Sequence, residues 1–309
     1  MSTDTHNLAT ETNHRDQQSR FANLRLSLDD LRSYGQNGFL VFKHLFSPAE
    51  LKIIRAELPE VFSEDSARRV LEKNGSVRTV FASHLTNEVF SRFSRLARLV
   101  EGAKQLLGND VYVHQFKINA KVALEGDQWE WHQDYFYWQK EDSMPTPSVL
   151  TAVLFVEDVN EFNGPMLIIP GSHLEGVIDI DIDEKYRDNG KGNGNAEQSA
   201  QPLWAATLTA DLKYKINKDI LKQLMRKRSI HAVTGPAGTV MFFHGNLFHA
   251  STNNLSPWDR LSIFVSYNSV ANALGERESP RPEFIAARDF GPIKSIADDA
   301  LLEWEASSK

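Results

Sequence analysis

His132 and Asp134 stand two residues apart in WEWHQDYFYWQKEDSMP, residues 129–145, with Gln133 between them and aromatic side chains on both sides. An imidazole and a carboxylate are two of the three groups in a 2-His-1-carboxylate metal site. Such a site leaves three positions of an octahedral ion open to exogenous ligands and is the arrangement of non-haem Fe(II) oxygenases. In an extended strand, residues i and i+2 point the same way, so a strand reading of this segment presents both groups side by side. The second histidine must come from elsewhere. His173 in PGSH, His231, His244 and His249 are candidates, and spacing alone does not choose among them.

The stretch after His249 favours that residue. HASTNNLSPWDRLSIFVSYN places Arg260 eleven residues beyond it, at the head of an expected strand in which Arg260, Ser262 and Phe264 share one face and Leu261, Ile263 and Val265 the other. A cation and a hydroxyl on the inner face of an apolar strand call for an acidic ligand or partner. VYVHQFKIN has the same character: Gln115, Lys117 and Asn119 align on one face, with Tyr112, Phe116 and Ile118 on the other. His84, His114, His231 and His244 take structural readings. His173 follows a Pro-Gly turn and is expected to hydrogen-bond locally.

The elements that must position these groups are legible in outline. SLDDLRSYGQNG predicts a helix capped by Ser27 and ended by Gly38, and SPAELKIIRAELPEVF predicts another, with Ser47 and Glu50 as a capping box and Pro48 at its first position. A single helix is predicted across VFSRFSRLARLVEGAKQLLG, with Phe90, Phe93, Leu96, Val100 and Leu107 on one stripe. Beyond residue 110 the period shifts to two, in VYVHQFKIN, SVLTAVLFVED, MLIIP, TVMFFH and RLSIFVSYNSV, with turns at NGP and TGPAG. The fold class is therefore α+β with a mainly β core: an antiparallel sheet structure with helices around it. Residues 1–20 read as a polar mobile tail, unlike a signal peptide or a membrane span, 21–309 as one domain, and 188–200 as a mobile excursion.

Composition narrows the partners. With 24% charged residues and a formal charge of −7 there is no basic excess for nucleic acid, and no segment suits a membrane. The chain has 0 cysteines, so disulfides, thiolate nucleophiles and Cys-ligated zinc are out of reach. Any metal must rest on His, Asp or Glu. A cytoplasmic location is the expectation.

Taken together, WHQD, NEFNGPMLIIPGSH, TGPAG and the His249 to Arg260 spacing resemble the phytanoyl-CoA dioxygenase superfamily of Fe(II)/2-oxoglutarate oxygenases and, within it, the ectoine hydroxylase group, over about Gly35 to Pro292. The resemblance implies a double-stranded β-helix, or jelly roll. It makes His132, Asp134 and His249 the iron ligands and Arg260 the anchor of 2-oxoglutarate, helped by Lys117, Asn119 and Ser262. Gln115, Trp138, Phe264 and Arg281 match positions that line the substrate pocket, Arg281 as a carboxylate clamp. The reaction it implies consumes 2-oxoglutarate and O2 at Fe(II) and hydroxylates a small free amino acid or cyclic zwitterion, ectoine-like or L-proline-like, giving succinate and CO2. A homodimer is one assembly it allows. The chain departs from the group by Gln133, where serine is usual, and by Tyr135, Phe136 and Tyr137 ahead of Trp138. Trp129, Trp131 and the run 135–138 are expected to wall the site against water. Two rival readings are a non-catalytic jelly-roll metal- or ligand-binding protein and a zinc hydrolase; the latter has no use for Arg260.

Overall fold

Ser27 and Ser47 begin helices as their capping boxes predict. Ser27 caps α1 (Leu28–Asn37) and Ser47 caps α2 (Pro48–Ser63), each hydroxyl accepting from the backbone N–H three residues on while the acid there accepts from the cap's own N–H. Each such cap is worth about 1 kcal/mol. Gly38, at φ +79°, ends α1 and turns the chain into β1 (Phe39–Phe42). The computed structural model describes residues 24–178, 181–182 and 214–307. The expected tail over 1–20 and the segment 188–200 lie outside the described residues.

A hairpin of β2 (Arg69–Leu71) and β3 (Val77–Phe81) follows, which the helix-rich reading of the N-terminal third did not anticipate. The single helix expected over 89–108 is two, α3 (Glu88–Phe93) and α4 (Ala97–Leu107). The break has a cause far away in the chain: Leu96 is extended and bridges Ile296, with Ala97 N–H donating to the Ile296 carbonyl and Ile296 N–H to that of Arg95. The apolar stripe survives, since Phe90, Phe93, Leu96 and Val100 are all buried.

The remaining elements are β4 (Val111–Lys121), β5 (Trp129–His132), α5 (Asp134–Asp142), β6 (Val149–Phe155), β7 (Met166–Ile168), β8 (Asp181–Ile182), β9 (Tyr214–Lys215), α6 (Lys218–Lys227), β10 (His231–Val233), β11 (Val240–His244), β12 (His249–Ser251), β13 (Arg260–Ser269) and α7 (Ala300–Ser307). A seven-stranded sheet runs β1-β11-β6-β13-β4-β3-β2 and a four-stranded one β10-β7-β12-β5, every neighbouring pair antiparallel. Val153, Phe155, Met241, Phe243 and Phe264 of the large sheet pack with Met166, Ile168 and Val233 of the small one, so the sheets close face to face as a jelly roll. The outer face of the large sheet carries Phe116, Ile118, Ile263, Val265 and Tyr267 against the helices. Alternation along β13 thus sends Ile263 and Val265 outward and Arg260, Ser262 and Phe264 inward, as the sequence predicts.

Two departures from regularity matter for the site. Ser266 lies opposite Gln115 but Tyr267 lies opposite Val113, so His114 is the extra residue of a β-bulge, a device that re-aims side chains. A strap after β13 then lines β4 where β3 does not reach: Ala287 N–H donates to the His114 carbonyl at 2.9 Å and Ile293 N–H to that of Val111 at 2.8 Å. Among the described residues, no helix is long and apolar enough to cross a membrane.

Candidate active site

His132 closes β5, and its direct cross-strand partner on β12 is His249. That pairing brings two residues far apart in sequence to a ring-centroid distance of 4.1 Å. Asp134 does not lie on the same strand face as His132, as a pure strand reading expects; it is the first residue of α5, with Gln133 as the extended N-cap. The turn from strand into helix swings the carboxylate back toward the imidazoles, and Asp134 Oδ1 lies 3.6 Å from His132 Nε2 and 3.8 Å from His249 Nε2. One ligand atom from each of the three falls within 4.8 Å of the others, and all three residues are buried.

The tautomers are set by the backbone. His132 Nδ1 donates to the Glu130 carbonyl at 2.6 Å and His249 Nδ1 to the Leu247 carbonyl at 2.9 Å. A carbonyl only accepts, so each ring, when neutral, carries its proton on Nδ1 and turns the lone pair of Nε2 toward the carboxylate. Burial, with His132 beside it, holds His249 down at about 3, so it is neutral at physiological pH. Burial alone would raise the Asp134 pKa, but the charge of Lys117 and the neighbouring imidazoles outweigh it and hold the carboxyl well below its usual range. Asp134 Oδ2 is buried without a hydrogen-bond partner among the described residues. An ionised carboxylate with Oδ1 beside two Nε2 lone pairs and Oδ2 left without a partner is, with those imidazoles, a donor set that a divalent cation satisfies.

A cavity of about 30 Å³ opens beside the triad, lined by Lys117, Asn119, Trp129, His132, Met166, His249, Ala250, Ser251, Arg260 and Phe264. Register explains the grouping: Arg260, Ser262 and Phe264 of β13 face Lys121, Asn119 and Lys117 of β4 across one ladder. Arg260 is 4% exposed, and no carboxylate pairs with it among the described residues; its Nε has no hydrogen-bond partner, nor do the buried Ser262 and Ser251 hydroxyls. Burial lowers its pKa to about 10, which still leaves it charged. A buried, unneutralised guanidinium is costly unless an anion comes to it. The Lys117 ammonium sits 5.1 Å above the Phe264 ring, and Asn119 accepts from Thr79 Oγ1 at 3.0 Å, which holds its amide in place.

The comparisons with known proteins agree with this geometry. The sequence profile of phytanoyl-CoA dioxygenase (PhyH) matches residues 34–262. The chain belongs to the phytanoyl-CoA dioxygenase family. Within the family it is 34% identical over 275 residues to the L-proline trans-4-hydroxylase of Streptomyces griseoviridis, covering 89% of this chain and 97% of that one. It is 33% identical over 287 residues to the ectoine dioxygenase of Bordetella bronchiseptica, covering 90% and 88%. The crystal structure of EctD from S. alaskensis with 2-oxoglutarate and 5-hydroxyectoine superposes with a TM-score of 0.72 at 26% identity, over 88% of this chain and 87% of that one.

The other expected residues of this family member gather elsewhere. Gln115 Nε2 donates to the Ile285 carbonyl at 2.7 Å. Trp138 meets His114 edge to face at 5.1 Å. Arg281 is 6% exposed and bound in bidentate fashion to Asp142, Nε to Oδ1 at 2.7 Å and Nη2 to Oδ2 at 2.5 Å. Trp138 and Asp142, the partner of Arg281, meet His114, and Gln115, Trp138 and Arg281 do not line the triad cavity; Phe264 alone of the four expected substrate residues does. His173 does not bond locally but to the distant Gly35 carbonyl at 3.1 Å, and His244 accepts from Asn246 N–H at 3.0 Å. The aromatic run divides its labour: Trp129 lines the cavity, Tyr137 stands edge-on to His132 at 6.1 Å, and Phe136 packs with Ile169 and Phe248.

Two supports escaped the sequence reading. Gln133, fully buried, donates to the carbonyls of Gly176 and Asn246, each at 2.8 Å, and accepts from Ile178 N–H, pinning the turn between two ligands to the segment 176–178 and to the loop that leads into β12. Lys121 Nζ donates to the Asp127 carbonyl before β5 and the Thr252 carbonyl after β12, each at 2.6 Å, so one amino group ties the far ends of both ligand strands. Burial, with Arg260 and Arg78 nearby, lowers it to about 6. The glycine of the NGP motif makes room for it: a Cβ on Gly164, at φ +74°, would stand 2.7 Å from the Thr252 carbonyl and 2.9 Å from Lys121 Cδ.

Proposed function

We propose that residues 21–309 form one catalytic domain and that the protein is an Fe(II)/2-oxoglutarate-dependent hydroxylase of a small free amino acid or cyclic zwitterion, of the L-proline or ectoine kind. The observation that carries this reading is the pairing of a buried His132, Asp134, His249 set with a buried Arg260 that has no carboxylate partner, across one small cavity. The triad holds Fe(II). Arg260 takes the distal carboxylate of 2-oxoglutarate, with Lys117, Asn119 and Ser262 as helpers, and Gln115, Trp138, Phe264 and Arg281 hold the substrate. The hydroxylase and dioxygenase activities named for relatives over most of their length support this assignment.

The iron, with 2-oxoglutarate and O2, supplies the oxidising power for C–H hydroxylation and releases succinate and CO2. The chain's own work is binding and exclusion of water. His132, Asp134 and His249 would hold the metal, and Asp134 stays ionised without needing a base. The guanidinium offers two parallel donors that match a carboxylate. The triad cavity adjoins a second cleft of about 260 Å³, and the two share Trp129, Ala250 and Ser251. The aromatic side chains around His132 then keep solvent from the reacting C–H bond.

Anaerobic addition of Fe(II) and 2-oxoglutarate should produce a weak visible charge-transfer band, and succinate should form in air with L-proline or ectoine. A folded, iron-loaded protein with no band would remove the assignment; a band without substrate-stimulated succinate would favour the binding-protein reading. A cytoplasmic location and a homodimeric state accompany the proposal, the latter testable by light scattering.

A further inference from the structure

Asp134, Trp138 and Asp142 recur every fourth residue along α5, so they fall within about 80° of one another on one helix face, and the backbone positions of the two acids are offset by about 12 Å along the axis. That face begins with the triad carboxylate and ends with the partner of Arg281. Asp142 has no measurable exposure, yet it stays charged: burial would raise its pKa, but Arg281 and His114 hold it at about 2. His114, turned by the β-bulge in β4, completes the cluster, its Nε2 3.5 Å from Asp142 Oδ2 and its ring against Trp138.

The bidentate contact uses Nε and Nη2 of Arg281 and, among the described residues, leaves Nη1 without a partner. A guanidinium gripped on one edge is fixed in orientation while its Nη1/Nη2 end can take a second carboxylate. We infer that Asp142, steadied by His114, is a positioning residue for Arg281, and that α5 acts as a spacer fixing how far a substrate carboxylate sits from the metal. This rests on the reading of Arg281 as the substrate clamp. It adds a specificity device: the carboxylate ligand of the metal and the carboxylate that grips the clamp share one helix, so only a substrate whose carboxylate-to-carbon span matches it presents the right C–H bond.

The test is calorimetric binding of L-proline and of ectoine to protein loaded with Fe(II) and 2-oxoglutarate under anaerobic conditions, alongside affinities for iron and 2-oxoglutarate. Asp142→Asn should weaken substrate at least tenfold and change the other two affinities less than twofold. In an Arg281→Lys background the same substitution should add less than twofold, because Asp142 works through Arg281; a merely structural role would give additive losses. If Asp142→Asn does not fold, Asp142→Glu keeps the charge but displaces it by a methylene, with the same expectations. Should Arg281→Lys leave substrate affinity unchanged, the clamp reading itself fails and the positioning role with it. Should Arg281→Lys weaken substrate while the Asp142 variants do not, or should the losses add, the positioning role alone is overturned.

Discussion

At the scale of single residues, the site is a set of polar atoms whose partners are not in the protein. Removing one ligand removes the reason for the others: His132→Ala should abolish iron binding and turnover together, measured by metal titration and succinate release, and near-normal activity would take His132 out of the triad. Arg260→Ala should raise the 2-oxoglutarate requirement by roughly tenfold or more, since truncating one side of a buried charge pair is worth a few kcal/mol, while the amino-acid requirement changes little. The reverse pattern in steady-state kinetics would reassign it. These residues were legible because chemistry and alternation both marked them: a cation and a hydroxyl at alternate positions of an apolar strand have few explanations. Asp142 and Gln133 carried no such mark. A carboxylate near a helix end and a glutamine between two ligands acquire meaning only from Arg281 and the Gly176 and Asn246 carbonyls, which are distant in sequence.

At the scale of elements, the ligand set depends on a junction. β5 ends at His132 and α5 begins at Asp134, so Gln133 alone decides the angle between them. Gln133→Ala leaves two carbonyls and one N–H without their side-chain partner in a buried place, a loss of about 1–3 kcal/mol. We expect a lower denaturation midpoint together with weaker Fe(II) binding, read by chemical unfolding and metal titration; a stability loss with unchanged iron affinity would show that the junction angle does not depend on Gln133. Capped helices and long strands were readable from local chemistry, because Ser27, Ser47 and the period-two runs fix them within a few residues. The strand-to-helix switch inside WEWHQDYFYW was not, since aromatic residues suit both states. The break at Leu96 was equally hidden, being imposed by Ile296.

At the scale of the whole molecule, the period change near residue 110 announced a β core with helices around it, but not the pairing order, which depends on contacts such as His249 with His132. The fold also buries more titratable groups than its reaction uses. His84 and His244 are each held at about 4, chiefly by burial. Their ordinary value is near 6.5, so between those values the unfolded chain binds more protons than the folded one. The stability they contribute is complete above about pH 6.5 and is lost as pH falls through about 4, at up to about 1.4 kcal/mol per pH unit for each. Urea midpoints of metal-free protein should therefore drop from pH 7 to pH 5, and removing both histidines should flatten that slope. Finally, Arg260, opposite a Lys121 that is mostly neutral above about pH 6, is a buried charge with no ion-pair partner among the described residues. Small inorganic anions are drawn to such a place, so sulfate or phosphate buffers will compete for it: they should raise the melting temperature and make 2-oxoglutarate look like a poorer ligand than it is in a chloride-free organic buffer.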